Sequence, residues 1–453
     1  MPLWQCDFEH CRRSAVRTLG DCVLCNRHLC SNHLQPGHHD CPRWEDADAY
    51  DPAARDAEER ELTDLIRKVN TRALEERASH LREGMPCSIP TLKYDRETRT
   101  SVMGGMNYHI EVRFEDGIVW IARIRRRNAT SPPAALRDYI IQSEVATLML
   151  LKHTKVPAPE VYDFALETPN NTVGVGYILM QKLPGKSLGW STATKEQRRK
   201  VMIQLADIFI ELRKYPFPLL GSLDNPGTSH VGAYAQESLT NFVKSKMCTT
   251  GPFSSLREYY ISSIQLILDL IVQDEIYSQQ AVDAYLIHRF LLDLVPLVLP
   301  SAQNEDAFYL KHADDKGDHI LVDEQFNITG IIDWELAHTA PASLAFNSPV
   351  GFLPIADFYK GKNSLGDDEV VFAQLLEEKG RQDLAQSVWN GRLQHRFAFC
   401  CGYDLTDWDG FVGLFRGLRE AIPVDEGLEW NEWKPIALDR YKDDAGLKNL
   451  SKR

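Results

Sequence analysis

Of the thiol and imidazole side chains in the first 41 residues, eight fall at ligand spacing: Cys6, Cys11, Cys22, Cys25, Cys30, His33, His39 and Cys41, with His10, His28 and His38 spare. They read C-x4-C-x10-C-x2-C-x4-C-x2-H-x5-H-x-C, which supplies donors for two tetrahedral sites, and mixed thiolate and imidazole donors select zinc. So short a stretch cannot bury a useful apolar core, so two structural zinc ions would have to supply its folding free energy. The rival is a disulfide-stapled module, which needs an oxidising compartment. The opening MPLWQCDFEHC has acids and cysteines where a signal peptide needs a basic start and an apolar run. A reducing interior is therefore expected, the cytoplasm with the nucleus left open. A closed zinc site does no chemistry of its own; its expected use is structural, or as a surface for a protein partner.

The second concentration of chemistry is KHADDKGDHILVDEQFNITGIIDWELA, Lys311 to Ala337. His312, Asp314, Asp315, Asp318 and His319 precede the apolar ILV, Asn327 lies in a turn, and GII leads into Asp333. Two short strands would form a hairpin with polar groups at both ends. Carboxylates delivered from both ends can share Mg²⁺ against a polyphosphate, and a further carboxylate can orient or deprotonate a hydroxyl.

The elements that must hold these groups are legible by period. Leu62, Leu65, Ile66, Val69, Leu74 and Leu81 recur at helical spacing, which predicts a connecting helix from Asp56 to about Arg82, ended by Gly84, Pro86 and Pro90. Thr100–Arg127 reads as strand, turn, strand, strand, with turns at Gly104-Gly105 and Asp116-Gly117. A helix near Arg137–Lys152 and an apolar strand near Val175–Met180 follow. Apolar stripes at Met202–Leu212, Tyr260–Val272 and Tyr285–Val295 then predict helices joined only by loops. The expected divisions are 1–45 for the metal module, 46–89 for the linker, 90–183 for a small sheet lobe and 184–453 for a mostly helical lobe carrying the loop 311–335. The fold class is therefore α+β and bilobal, with a small zinc-binding module in front. In the 453 residues, hydrophobic residues at 43% suffice for a large core, and 51 basic against 64 acidic residues give a net charge of −13. That excludes a bulk nucleic-acid coat, though not a local basic patch. With no long apolar run, no membrane span is expected.

Two resemblances follow from these residues. The interleaved Cys/His order is similar to the AN1-type zinc finger. It implies one site from Cys6, Cys11, Cys30 and His33 and another from Cys22, Cys25, His39 and Cys41. The gap between Cys6 and Cys11 is wider than the commonest AN1 spacing. The remainder resembles the aminoglycoside-phosphotransferase-like branch of the protein kinase fold, as found in fungi, over about residues 90–345. Its H-G-D-x-x-x-x-N loop is matched by His312-Ala313-Asp314 with His319 at the asparagine position, and its I-D-W/F-E by Ile332-Asp333-Trp334-Glu335. VMGGMNYHIEV, with Gly104, Gly105 and Asn107, resembles the strand pair over nucleotide phosphates. Glu144 matches the helix glutamate that pairs with the nucleotide-lobe cation, Arg123 falls where the family has lysine, and Gln181 lies in the hinge that meets adenine. The resemblance implies an ATP- and Mg²⁺-dependent kinase for a small-molecule hydroxyl, with Asp314 as base and Asp333 on the metal. His319 and Arg123 depart from the pattern: imidazole is a softer ligand than an amide oxygen, and a guanidinium has a different reach from an ammonium.

Arg123, Arg125, Arg126 and Arg127 put four guanidiniums in five residues. In a strand, Arg123 and Arg125 share one face and Arg126 takes the other. They read either as a hydrated strand edge kept from pairing, or as a face buried against the connecting helix and its acids Glu58, Glu59 and Glu61, or as an exposed patch that would suit tRNA or another polyanion. That opens a second expectation, a kinase-like enzyme joining arginyl groups from aminoacyl-tRNA into cyclodipeptides, with Asp314, Asp315 and Asp318 facing the arginyl group. A third is a pseudokinase or docking protein.

Overall fold

The structure is a computed structural model and describes residues 2–97, 103–243, 246–299, 307–402 and 408–452. The first forty residues carry one short ladder, β1 (Asp21–Cys22) paired with β2 (Arg27–His28). Gly20 precedes it where a Cβ would lie 2.2 Å from the Leu29 carbonyl, so only glycine lets the two turns close. The buried apolar cluster here is small, Leu29 with Cys6 and Cys30.

The predicted connecting helix is two helices, α1 (Ala47–Lys68) and α2 (Thr71–Leu81). The break falls at Asn70. Its amide bonds to the Val173 carbonyl at 2.9 Å, and its side chain accepts from Ala73 N at 3.2 Å, capping α2. These helices cover one face of an antiparallel five-stranded sheet, ordered β3 (Cys87–Ser88), β4 (Asn107–Phe114), β5 (Val119–Arg125), β7 (Tyr177–Gln181), β6 (Val161–Ala165). The sheet thus begins at Cys87, a little ahead of the boundary expected at residue 90. Leu62, Leu65 and Leu74 pack there with Trp120, Ala122 and Ile124. On the opposite face α3 (Ala134–Leu151) brings Val145 and Leu148 against Ile178 and Met180. The alternation along β5 therefore sends Trp120, Ala122 and Ile124 toward α1 and α2, and the odd positions Ile121, Arg123 and Arg125 the other way.

Beyond Gln181 the chain is mostly helical, built on α4 (Lys195–Leu212), α5 (Leu256–Val272) and α6 (Ala281–Val298), with further helices from Ala342 to Leu450. The segment between α4 and α5, expected to be loop, contains a hairpin of β9 (Thr240–Val243) and β10 (Lys246–Thr249). Three small ladders frame the polar segment: β8 (Lys186–Ser187) beside β12 (Ile320–Val322), β12 beside β13 (Ile328–Ile331), and β11 (Phe308–Lys311) beside β14 (His338–Pro341). The chain is thus a mixed α/β structure of the bilobal kinase-like kind. Among the described residues no helix is long and apolar enough to cross a membrane.

Candidate functional site

Register places the polar loops. Lys311 pairs with His338 and Ile320 pairs with Ile331, so the loop 312–319 and the loop 332–337 leave the ladders at the same end. Asp314 and Asp333 therefore come from one end of the hairpin. Its other end is a closed turn in which Asn327 Nδ2 donates to Asp323 at 2.7 Å. His312 ties the two loops: Nε2–H donates to the Ile332 carbonyl at 2.9 Å, and Nδ1 accepts the Asp314 amide at 3.2 Å. That pattern requires the neutral imidazole with its proton on Nε2.

The neighbouring acids have different tasks. Asp315 accepts the Val350 amide at 3.0 Å and Lys311 Nζ at 3.2 Å, and these partners hold its carboxyl below the usual range even though burial opposes the charge. It builds the loop, which leaves little of it for an arginyl group. Asp314 is half exposed and meets only the flexible Lys316 Nζ at 3.0 Å, so it is the acid presented to solvent. Lys316 also lies in the field of Asp318 and Asp333.

Above these loops stands Arg123, buried on β5. Its Nη1 donates to Glu144 of α3 at 2.6 Å, and its Nη2 to Asp333 at 2.5 Å and Glu335 at 2.8 Å. Glu335 also takes Arg125, and the Asn107 amide at 2.9 Å. Two guanidiniums thus face three carboxylates, leaving one excess negative charge in a poorly hydrated place. Burial pushes Glu144 up to about 6 against the pull of Arg123. Asp333 is also penalised by burial, yet Arg123 holds it below the usual carboxylate range. Asp333 reaches this position with φ +62°, a left-handed conformation that costs on the order of 1 kcal/mol and is characteristic of functional loops. Glu335 was missed as a site residue; the signal was the second carboxylate in the Asp-Trp-Glu order.

His319 stacks on His312 with centroids 4.2 Å apart. It is 8% exposed, and its Nδ1 has no hydrogen-bond partner among the described residues. Burial, then the neighbouring His312, push its pKa down to about 3. Below the ordinary histidine value of about 6.5, the unfolded chain takes up a proton that folded His319 refuses. Stability should therefore fall as pH drops from about 6.5 towards 3, with His319 contributing about 1.4 kcal/mol per unit. His319→Asn should flatten the slope of unfolding free energy by about that amount between pH ~6 and ~5. Urea titrations showing parallel slopes for the two proteins would contradict a buried neutral imidazole.

The other nucleotide-site residues are more scattered in their use. Gly104 and Gly105 form an exposed turn with open space around them. Asn107 sends its amide to Glu335 rather than into open space. Gln181 is exposed at the end of β7 and its amide bonds to the Glu160 carbonyl at 2.8 Å. The arginine run is not a polyanion surface. Arg123 and Arg125 are consumed as above, Arg126 forks onto Glu61 of α1 at 2.7 and 2.9 Å, and Arg127 shares Glu167 with Arg137. Each guanidinium is paired with a carboxylate of the chain, Arg127 and Arg137 sharing Glu167, so the run is not the free patch expected to meet tRNA.

At the front of the chain, Cys6, Cys11, Cys30 and His33 form one cluster and Cys22, Cys25, His39 and Cys41 another. Within each, the ligand atoms lie within 4.8 Å of one another. A tetrahedral ion with bonds of about 2.0–2.3 Å needs donor atoms roughly 3.3–3.8 Å apart, so small side-chain shifts would seat an ion. The two clusters suggest a zinc-binding module.

Among curated proteins, the chain is 37% identical over 123 residues to a subtelomeric hrmA-associated cluster protein of Aspergillus fumigatus, covering 26% of this chain and 23% of that protein. It is 25% identical over 254 residues to Clavilactone A biosynthesis cluster protein Y of Ampulloclitocybe clavipes, covering 54% and 61%. In both cases the match spans less than two thirds of the relative's length. Among solved structures, the GDP complex of wild-type aminoglycoside 2′-phosphotransferase-IIIa aligns at a TM-score of 0.40 with 16% identity, covering 78% of this chain and 99% of that one. The sequence profile of the phosphotransferase enzyme family matches residues 107–344, from the first strand over the glycine turn to the end of the Asp333 loop and its following ladder, more than half of the chain. On that match, and with the polar loops placed as described, the chain belongs to the phosphotransferase enzyme family.

Proposed function

We propose that this protein transfers a phosphoryl group from ATP to a hydroxyl of a small molecule. The carrying observation is that the Asp314 and Asp333 loops emerge together at one end of the hairpin, tied by His312, beneath an Arg123–Glu144 pair. Asp314, solvent-facing and free of backbone bonds to its carboxylate, orients the acceptor hydroxyl and receives its proton. Arg123, anchored by Glu144 and Glu335, holds the Asp333 carboxylate in place and offsets part of its charge. Lys316, flexible and close to Asp314, can follow the charge that develops there. Asp333, half exposed and ionised, is the hard oxygen donor suited to Mg²⁺, which would supply charge neutralisation of the phosphates. His319 offers nitrogen where the family has an amide oxygen, which leaves Asp333 as the principal protein ligand. Zinc is the metal we assign to both Cys/His clusters, on the thiolate-rich donor sets.

The test is phosphoryl transfer from terminally labelled ATP to a panel of hydroxylated small molecules, with Asp314→Asn beside the wild type. Turnover should drop by at least ~10²-fold with the melting temperature unchanged, since Asp314 is half exposed and makes no structural bond through its carboxylate except to Lys316. An Asp314→Asn enzyme within threefold of wild type would remove Asp314 from the mechanism.

A further inference from the structure

The Cys/His module is not a free head on a linker. Arg17, 8% exposed between the ligand knuckles, is fastened to the helical half by both backbone and side chain. Its amide donates to the Glu275 carbonyl at 2.7 Å. Its guanidinium donates to the Glu275 carboxylate at 3.2 and 3.3 Å and to the Thr240 carbonyl at 2.9 Å. Ser31 adds a bond to Asp274 at 2.5 Å. From the module the chain runs into α1, where Arg60 donates back to the Leu24 carbonyl at 3.1 Å and fixes helix to module. At the next residue Glu61 takes the Arg126 fork, and Arg126 Nη1 also donates to the carbonyl of Gly105 at 3.3 Å. One continuous segment therefore grips the connection between α5 and α6 at one end and the glycine turn at the other. A second line runs between them through Glu237, whose carbonyl accepts from Arg17 and whose carboxylate lies in the field of both Arg17 and Arg125, the partner of Glu335.

We propose that residues 2–81 are a strap across the two halves of the fold, in which Arg17 and Glu61 are positioning residues that set the spacing between the glycine turn and the loops of Asp314 and Asp333. At the sheet end Leu62, Leu65 and Leu74 also hold the strap in the core, so releasing Arg17 or Glu61 breaks the polar path between the ends without detaching the helices. The consequence for nucleotide rests on the phosphotransfer reading above; the mechanical coupling does not. A freely tethered docking module would leave each half indifferent to the other end.

The experiment reads each cut at the far end. Amide hydrogen exchange is measured on the full chain for wild type, Arg17→Gln, Glu61→Gln and the double variant, with bound metal quantified alongside. Arg17→Gln should speed exchange at 103–107, and Glu61→Gln should speed it at 273–277, each by at least about fivefold, the lower range of ordinary coupling between sites. The double variant should be no faster at either place than the faster single variant by more than about twofold, because both cuts interrupt the same path. Unmoved far ends, or effects that multiply, would overturn the proposal. If Arg17→Gln loses metal, Glu61→Gln, whose carboxylate bonds Arg126 and Asn128 and no metal ligand, decides alone. Titration with AMP-PNP and Mg²⁺ on the same samples should show about fivefold weaker binding in each single variant. Exchange coupling in a wild type that binds no AMP-PNP would refute the nucleotide reading and leave the strap standing; AMP-PNP binding with uncoupled ends would do the reverse.

Discussion

Cys25→Ser is expected to lower bound zinc from two ions per chain to one at most and to melt residues 2–45 while the sheet and helical halves stay folded. The magnitude follows from what holds the module together. Its buried apolar side chains are few, Leu29 clustered with Cys6 and Cys30 and beside them Leu3, Ala15, Val16 and Leu24, and its one ladder is two residues long on each strand. Apolar burial on that scale gives only a few kcal/mol. A structural zinc in a site of this kind contributes on the order of 10 kcal/mol, more than the module's whole stability. Serine keeps the size of the side chain and loses the thiolate, so the effect isolates ligation. Elemental analysis of protein purified without chelator, with exchange protection mapped over residues 2–45, makes the comparison. Fewer than one zinc per wild-type chain would refute the assignment, as would a Cys25→Ser protein with full protection. Because Arg17 is fastened to Glu275, loss of the module should also expose the amides around Asp274 and Glu275.

What the sequence made legible here is what depends on near neighbours. The eight ligands show as spacing, because a metal site in a short segment must be written locally. The hairpin turn at Asp116-Gly117 and the alternation along β5 are also local, and they put Arg123 and Arg125 on one face and Arg126 on the other, as the structure has them. The order of Asp314, the ILV strand and Asp333 showed the hairpin but put its carboxylates at both ends, whereas the register brings both loops out at one end. What the sequence could not show was where the arginines end. Arg126 finds Glu61, Arg127 finds Glu167, and Arg125 finds Glu335, partners that lie far along the chain in both directions. Four guanidiniums in five residues look like a surface until each partner is known. The break between α1 and α2 escaped for the same reason: Asn70 stops the helix by a bond to Val173, far along the chain in the loop before β7. Asp315 and Asp314 are adjacent and chemically identical, and only Val350 decides that the first builds the loop while the second faces solvent.

Arg123→Met should destabilise the fold by about 3–5 kcal/mol near pH 8, more than any single surface change in this chain. Methionine keeps much of the volume and the unbranched stem, so packing on β5 is largely retained. The loss is electrostatic. Glu144 and Glu335 are 3% and 8% exposed, and without the guanidinium Glu144 keeps no charged partner in direct contact, while Glu335 keeps Arg125 and Asn107. Glu144 already sits at about 6 with Arg123 in place, so the variant should raise it further. The direction of the pH dependence follows. A carboxyl whose folded pKa lies above its unfolded value takes up its proton in the folded state first, so folding gains stability as pH falls through the folded value. The deficit of Arg123→Met against wild type should therefore shrink as pH is lowered from about 8 to about 6, while a deficit caused by a packing defect would stay constant. Adding Glu144→Gln to Arg123→Met should restore part of the loss at pH ~8, since it removes the unpaired charge. The measurement is urea unfolding of the three proteins at both pH values. A deficit below about 1 kcal/mol, or one that does not change with pH, would mean that Arg123 is not the counter-charge on which Glu144 depends, and the pair under the glycine turn would lose its place in the site.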